Sequence, residues 1–185
     1  MSPETFDSIL QGAQETDAIE FKAAIAWERN TFVKDILALA NVRDGGFIIV
    51  GVEDGTFAKH GLTDDQVASF DIDIMRDQIS PFADPRVVFT RQVLVDAALT
   101  FVIIEVSPFD DVPVVCARDG ADVQAGAIYF RSRSRRPASA RVARSEDMRE
   151  IIEASIARRA RGLKRAGFVP AVPDEHDFDT ELGGL

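Results

Sequence analysis

Hydrophobic and polar positions change period several times along the chain, and each change marks an element. PETFDSILQ spaces Phe6, Ile9 and Leu10 as a helix would, so a short first helix is expected from Ser2 to about Gly12, with Pro3 in its first turn. Residues 17–22 alternate instead. Ile19 and Phe21 point one way, Ala18, Glu20 and Lys22 the other, which is the pattern of a half-buried strand. The helical period returns in NTFVKDILALAN, with Asn30 as the expected N-cap and Phe32, Val33, Ile36, Leu37 and Ala40 as the inner stripe. Asn41 is expected to hydrogen-bond at the helix end. Arg43-Asp44-Gly45-Gly46 stops the helix, and FIIVGVED (47–54) reads as a buried strand running into a turn at Asp54-Gly55.

Thr63, with Gln66 three residues on, forms a capping box for a third helix whose inner residues include Val67, Phe70 and Ile74 and which ends before Pro81. RVVFTRQVLVD and LTFVIIEV, joined by a tight Asp-Ala-Ala connection, predict a hairpin. VVCAR and AIYFR read as two short strands around the turn-rich DGADVQAG, and SRSRRPASA as a loop. Ser145 is the expected cap of a last helix reaching about Arg161, with Glu146 and Asp147 in its first turn and arginines in its last. The order α-β-α-β-α-β-β-β-β-α predicts an α+β fold, a mixed and largely antiparallel sheet with helices packed mainly on one side. One domain over 1–166 and an acidic, flexible C-terminal tail over 167–185 are expected.

Composition removes several chemistries. One cysteine, Cys116, excludes an internal disulfide and a cysteine-based zinc site, and two histidines, His60 and His176, argue against a histidine-rich metal centre. Cys116 is expected in the core and His60 in a loop. MSPETFDSIL has neither the basic region nor the apolar core of a signal peptide, and FIIVGV and TFVIIEV are too short to span a bilayer, so a cytoplasmic protein without membrane contact is expected.

The net charge of −10 argues against a nucleic-acid partner until its distribution is considered. Residues 1–126 hold 9 basic against 22 acidic side chains, residues 127–166 hold 12 against 4, and residues 167–185 hold none against 5. The local field of the basic segment matters more to binding than the total. The plainer alternative is that this segment neutralises the acidic remainder or a subunit neighbour. Arg131, Arg133, Arg135 and Arg136 alternate with serines on the loop leaving AIYFR, a donor pattern suited to phosphate oxygens. Tyr129 or Phe130 is either a base-stacking residue or a buried strand residue. Arg158, Arg159, Arg161, Lys164 and Arg165 give the last helix a basic end, which serves equally as a solvated face or a binding face.

The acids pose a separate question. Glu15 and Glu20, five apart, would face opposite ways on one strand, so Glu15 is placed on the turn leading into it. Pairing of the first two strands would bring Asp54 toward Glu20. Three converging carboxylates repel unless one protonates or a cation intervenes, and a hard divalent ion is the natural solution, with Lys22 beside it to hold a phosphate. The simpler account is a solvated strand face followed by ordinary turn chemistry at Glu53-Asp54-Gly55.

The run ETDAIEFK, then ALANVRDGGFIIVGVEDG, then IYFRSRSRRPASA resembles the Schlafen-type, AlbA-like nucleic-acid-binding domain family over about residues 12–155. The resemblance implies a single Schlafen-core-like lobe of α+β fold that binds RNA, tRNA-like in particular, or DNA. In the Schlafen endoribonucleases, which cleave tRNA and rRNA, two lobes form a horseshoe and three acids make a divalent-metal nuclease site. Those acids match Glu15, Glu20 and Asp54, and the adjoining lysine matches Lys22. The implied cofactor is Mg²⁺ or Mn²⁺, and a lone lobe implies a homodimer. The turn here reads Gly51-Val52-Glu53-Asp54, with Glu as its first acid, and the linker between Glu20 and Gly51 is shorter than in the animal proteins. No G-x-x-x-x-G-K-[ST] occurs, so ATP is not expected. The leading expectation is a metal-dependent endoribonuclease. The alternatives are a non-catalytic DNA- or RNA-binding regulatory module and an interaction scaffold that binds no nucleic acid.

Overall fold

A computed structural model of the chain describes residues 1, 3–11, 17–132 and 138–168. Glu15, Arg133, Arg135, Arg136 and the acidic segment from 169 onward lie outside the described residues. After helix α1 (Pro3–Gln11), strand β1 (Ile19–Lys22) runs parallel to β2 (Gly46–Val50), the two joined through helix α2 (Arg29–Ala40). The hairpin β4 (Phe89–Asp96) and β5 (Leu99–Val106) completes an antiparallel extension, giving a four-stranded sheet in the order β1-β2-β5-β4. Two small antiparallel pairs stand apart from it: β3 (Ala83–Asp84) with β6 (Val115–Cys116), and β7 (Tyr129–Arg131) with β8 (Ser139–Arg141). The α+β class with a mixed, mostly antiparallel sheet is therefore what the chain adopts.

Strand alternation sorts the core into two layers. Val102, Ile104 and Val106 of β5, with Ile48 and Val50 of β2, face α2 and the main core, while Phe101, Ile103 and Ile49 face a smaller cluster under α1 that includes Phe6 and Phe21. The rings of Phe6 and Phe101 lie 4.9 Å apart there. Helix α2 is buried over more than one face, from Phe32 and Val33 through Asp35–Ala40. Its strand neighbours belong both to the main sheet and to β7 and β8. Cys116 is buried as expected, and burial pushes its thiol pKa up.

Several boundaries differ from the sequence expectation, each for a local reason. The cap of α2 is Glu28, whose side chain accepts from the Thr31 amide, rather than Asn30. The third helix is two. Helix α3 (Asp64–Ser69) has the expected capping box, but Phe70 then turns fully inward, edge-to-face with Trp27 and Phe32. Asp71 caps a fresh start as α4 (Ile72–Ile79), accepting from the amides of Asp73 and Ile74. The restart rotates the apolar face, so Met75 and Ile79 are buried and Ile74 is exposed. Residues 139–141 form β8 rather than loop, and β3 is held by its register with β6, not by any period of its own. Helix α5 (Ser145–Arg165) has Ser145 as its first residue, not its cap, and extends one turn past Arg161. Ala97 and Ala98 close the β4–β5 hairpin, both with positive φ (45° and 69°), the conformation a two-residue hairpin turn of matching twist demands.

The double glycine after α2 is a steric requirement. At Gly45 (φ 73°) a Cβ would stand 2.2 Å from the Val106 carbonyl oxygen, and at Gly46 it would stand 2.3 Å from that of Ala18. Asn41 does more than close its own helix. Its Nδ2 donates to the carbonyls of Leu37 (3.2 Å), Val114 (2.9 Å) and Tyr129 (2.9 Å), and its Oδ1 accepts from the Val114 amide (2.8 Å). One buried side chain thus holds the end of α2 to β7 and to the approach to β6. Asn41→Ala leaves these groups without partners, and a loss of about 3 kcal/mol is expected in urea unfolding with an unchanged slope, on the scale of one to three kcal/mol for each unsatisfied buried group.

Candidate functional site

β1 is an edge strand of the main sheet, and its alternation gives it two chemistries. Phe21 enters the α1 cluster, while Glu20 and Lys22 lie on the face toward α2. Lys22 Nζ sits 2.6 Å from Glu20 Oε1 and 2.8 Å from Asp35 Oδ2 of α2. The other oxygen of Glu20 accepts from Arg131 Nη1 of β7 at 2.5 Å. Arg131 also donates from Nη2 to the Ile19 carbonyl (2.9 Å) and from Nη1 to Ser139 Oγ (3.2 Å). The result is a row of alternating charge, Asp35–Lys22–Glu20–Arg131, with two acids matched to two bases.

Burial makes that matching necessary. Asp35 is 4 % exposed and Arg131 0 %, and a buried charge without a partner is strongly destabilising. Burial by itself would lower the pKa of Lys22. The carboxylates of Asp35 and Glu20 override that effect and hold the ammonium above its ordinary 10.5.

Asp35, Lys22 and Glu20 of this row form one wall of an open cavity of about 520 Å³, with Arg131 enclosed behind them. Lys34 from the first turns of α2, Asp122, and Ala138–Ser139 at the start of β8 also line it. Asp54 arrives from outside the sheet. β2 ends at Val50, Gly51 turns with φ 106°, and Asp54 sits exposed on the turn that follows. The structure therefore gathers Glu20, Lys22 and Asp54 around one cavity, although Asp54 reaches it from a turn and not from a strand face.

Arg131 is a correction. It was expected among the loop arginines that grip phosphate, and it is instead wholly enclosed, its terminal nitrogens engaged by Glu20, Ile19 and Ser139. Tyr129 and Phe130 are both buried, and the Tyr129 hydroxyl accepts from the Gln124 amide, so neither ring is offered to a base. Asp35 is the functional neighbour that sequence reading missed. Its signal was an acid between Val33 and Ile36 on an otherwise apolar stripe. Asp122 carried no signal at all.

Whether this wall suits a divalent ion can be tested on its donors. Both oxygens of Glu20 already accept from cationic groups. Among the described residues no group of three or more acidic, histidine or cysteine side chains is placed to hold a metal. The buried atom that lacks a partner beside Glu20, Arg131 Nε, is a donor and offers a cation no ligand. The described residues do not fit a metal centre.

A family model described as Schlafen, AlbA_2 matches residues 15–138. The chain belongs to the Schlafen AlbA_2 family. The match begins at Glu15 and ends at Ala138, so it spans β1, β7 and every residue of the cavity lining except Ser139. Among solved structures, this Schlafen AlbA_2 chain is similar to the DIP2311 protein of Corynebacterium diphtheriae, with 18 % identity and a TM-score of 0.52 over 80 % of the present chain and 27 % of that one. It is similar also to the N-terminal domain of a putative ATP-dependent DNA helicase RecG-related protein from Nitrosomonas europaea, with 20 % identity and a TM-score of 0.49 over 68 % of this chain and 86 % of that domain. The chain thus spans about a quarter of the length of the Corynebacterium protein, and at 18 % identity the likeness to it concerns fold alone. No curated protein matches it. Among the described residues no helix is long and apolar enough to cross a membrane.

The charge row makes unequal demands on its members. Lys22→Met strands the buried Asp35 and is expected to cost about 3 kcal/mol, whereas Asp35→Asn leaves Lys22 with Glu20 and is expected to cost about half as much in the same urea titration. Because the folded pKa of Lys22 is raised, its contribution is complete below 10.5 and is lost as pH climbs through the folded value. The stability gap between wild type and Lys22→Met should stay flat from about pH 7 to 9 and narrow only in more alkaline solution.

Proposed function

We propose that this Schlafen AlbA_2 domain binds nucleic acid, RNA of tRNA-like structure in the first place, with the phosphate backbone crossing the mouth of the Glu20–Lys22–Asp54 cavity. In this reading it is a binding module and not a hydrolase. The observation that supports it most is the internal neutralisation of the wall. Glu20 and Asp35 are matched by Lys22 and Arg131, so the cavity makes no trap for a cation. Ala138 and Ser139 line the cavity, and the segment that carries Arg133, Arg135 and Arg136 joins the described chain there. Lys34 adds a cation to the cavity lining itself. Family membership supports the same reading, since nucleic-acid binding is the property the resemblance implies.

Binding through phosphates releases counterions, so affinity for tRNA measured by fluorescence anisotropy should fall steeply with salt. Replacing Arg133, Arg135 and Arg136 together with Ala should reduce the slope of log affinity against log salt by about 2, at roughly 0.7 per single-strand phosphate contact. No salt-dependent binding to any RNA or DNA, or an unchanged slope in the triple variant, would contradict the proposal.

A second reading, a Mg²⁺- or Mn²⁺-dependent endoribonuclease, draws on the shared cavity of Glu20, Lys22 and Asp54. Asp54→Asn separates the two, because Asp54 is exposed on a turn, and a thermal melt of the variant checks that it is folded. Divalent-dependent tRNA cleavage that Asp54→Asn abolishes, with tRNA affinity retained, would establish the enzyme. Binding without cleavage in either metal is the outcome expected here.

A further inference from the structure

Helix α5 presents two faces, and among the described residues only one of them is packed against the domain. Ile151 is fully buried, Ala154 packs against the main core, Ser155 Oγ donates to the Asp111 carbonyl at 2.5 Å, and Arg158 lies over the Phe109 ring at 4.1 Å. About a third of the way round the helix, Ile152 (48 % exposed), Ile156 (64 %) and Leu163 (46 %) face solvent. At 3.6 residues per turn these three fall within about 40° of one another. Their steps of four and seven residues are those of a coiled-coil seam. Arg159 fills the remaining seam position and contributes an aliphatic stem. The line continues past the helix end. Gly167 (φ 83°) closes it, the Gly167 and Phe168 amides donate to the carbonyls of Lys164 and Leu163, and Phe168 is left 65 % exposed.

Charge along the same helix selects what can cover this stripe. The first half carries Glu146, Asp147, Glu150 and Glu153 against one base, Arg149. The second half carries Arg159, Arg161, Lys164 and Arg165 and no acid, Arg158 being engaged on the packed face. A parallel copy would set like charge on like, whereas an antiparallel copy sets each acidic half along a basic half. We propose that α5 is a self-association surface on which a second copy of this chain docks its own α5 antiparallel about a two-fold axis near Ile156. The apolar stripe forms the seam and the opposed charge halves set its direction. Such an interface is isologous, since one patch serves both partners. It is independent of the cavity and of nucleic-acid binding.

The full chain should sediment as a dimer in the micromolar range, and Ile156→Asp should weaken dimerisation at least 100-fold, with the same thermal transition as wild type at dilutions where both are monomeric, because that side chain touches solvent and not the core. Nitroxide labels fix the direction, with buried Cys116 unreactive. A label at Ala160→Cys should report a short distance between copies, and one at Ser145→Cys a distance roughly 20 Å longer, from a rise of 1.5 Å per residue. A chain monomeric at 200 µM (about a hundred times the concentration proposed for pairing), a dimer indifferent to Ile156→Asp, or equal distances from the two labels would each overturn the proposal. So would a monomer in which Ile156→Asp weakens tRNA binding, which would assign the face to nucleic acid.

Discussion

The ion pair between Glu20 and Arg131 joins residues 111 positions apart, and much of this structure depends on it. It fastens the edge strand β1 to β7, and through Lys22 it extends to Asp35 in the middle of α2. Charges taken this far out of water are tolerated only when their hydrogen-bonding capacity is largely met. The Ile19 carbonyl and Ser139 hydroxyl complete that requirement for the terminal nitrogens of Arg131. Three of these four side chains, Asp35, Lys22 and Glu20, also line the cavity on this flank, while Arg131 backs Glu20 from within. Chemistry and stability are therefore coupled, and a change made to one will be felt in the other.

That coupling shapes the functional reading. A carboxylate with both oxygens engaged by cations is poorly disposed to ligate a divalent ion, which is why phosphate binding is proposed in its place. The overall acidity of the protein does not oppose this, because the charge is segregated. The basic residues concentrate after β7 and along the end of α5, and the acidic ones lie mostly elsewhere. Helix α5 uses its own segregation differently. Its buried face, at Ile151, packs against the domain, and its opposed charge halves suit a copy of itself.

Long elements were legible because their side chains repeat with a period. α2, β2, the β4–β5 hairpin and α5 all followed from spacing. The elements that were misread have two or three residues, or lie where a single side chain overrides the pattern. β3 and β8 are too short to possess a period and exist because a partner strand supplies their hydrogen bonds. Phe70 fits a continuous helix by spacing, yet the pocket made by Trp27 and Phe32 turns it inward and breaks the helix there. At the site, Glu20, Lys22 and Asp54 were identifiable by alternation and turn position. Arg131 was not, because the first arginine of a Ser-Arg run looks the same whether it faces solvent or a buried carboxylate.

Sequence alone determined which residues could be inside, where the chain must turn, and which side chains carry the relevant charge. These are local properties, set by the period of the backbone and by steric demands such as those at Gly45 and Gly46. Tertiary structure alone decided which charge meets which. Whether an acid becomes a metal ligand, a salt-bridge partner or a solvated surface group depends on what stands within about 3 Å of it, and in Glu20 that neighbour comes from more than a hundred residues away.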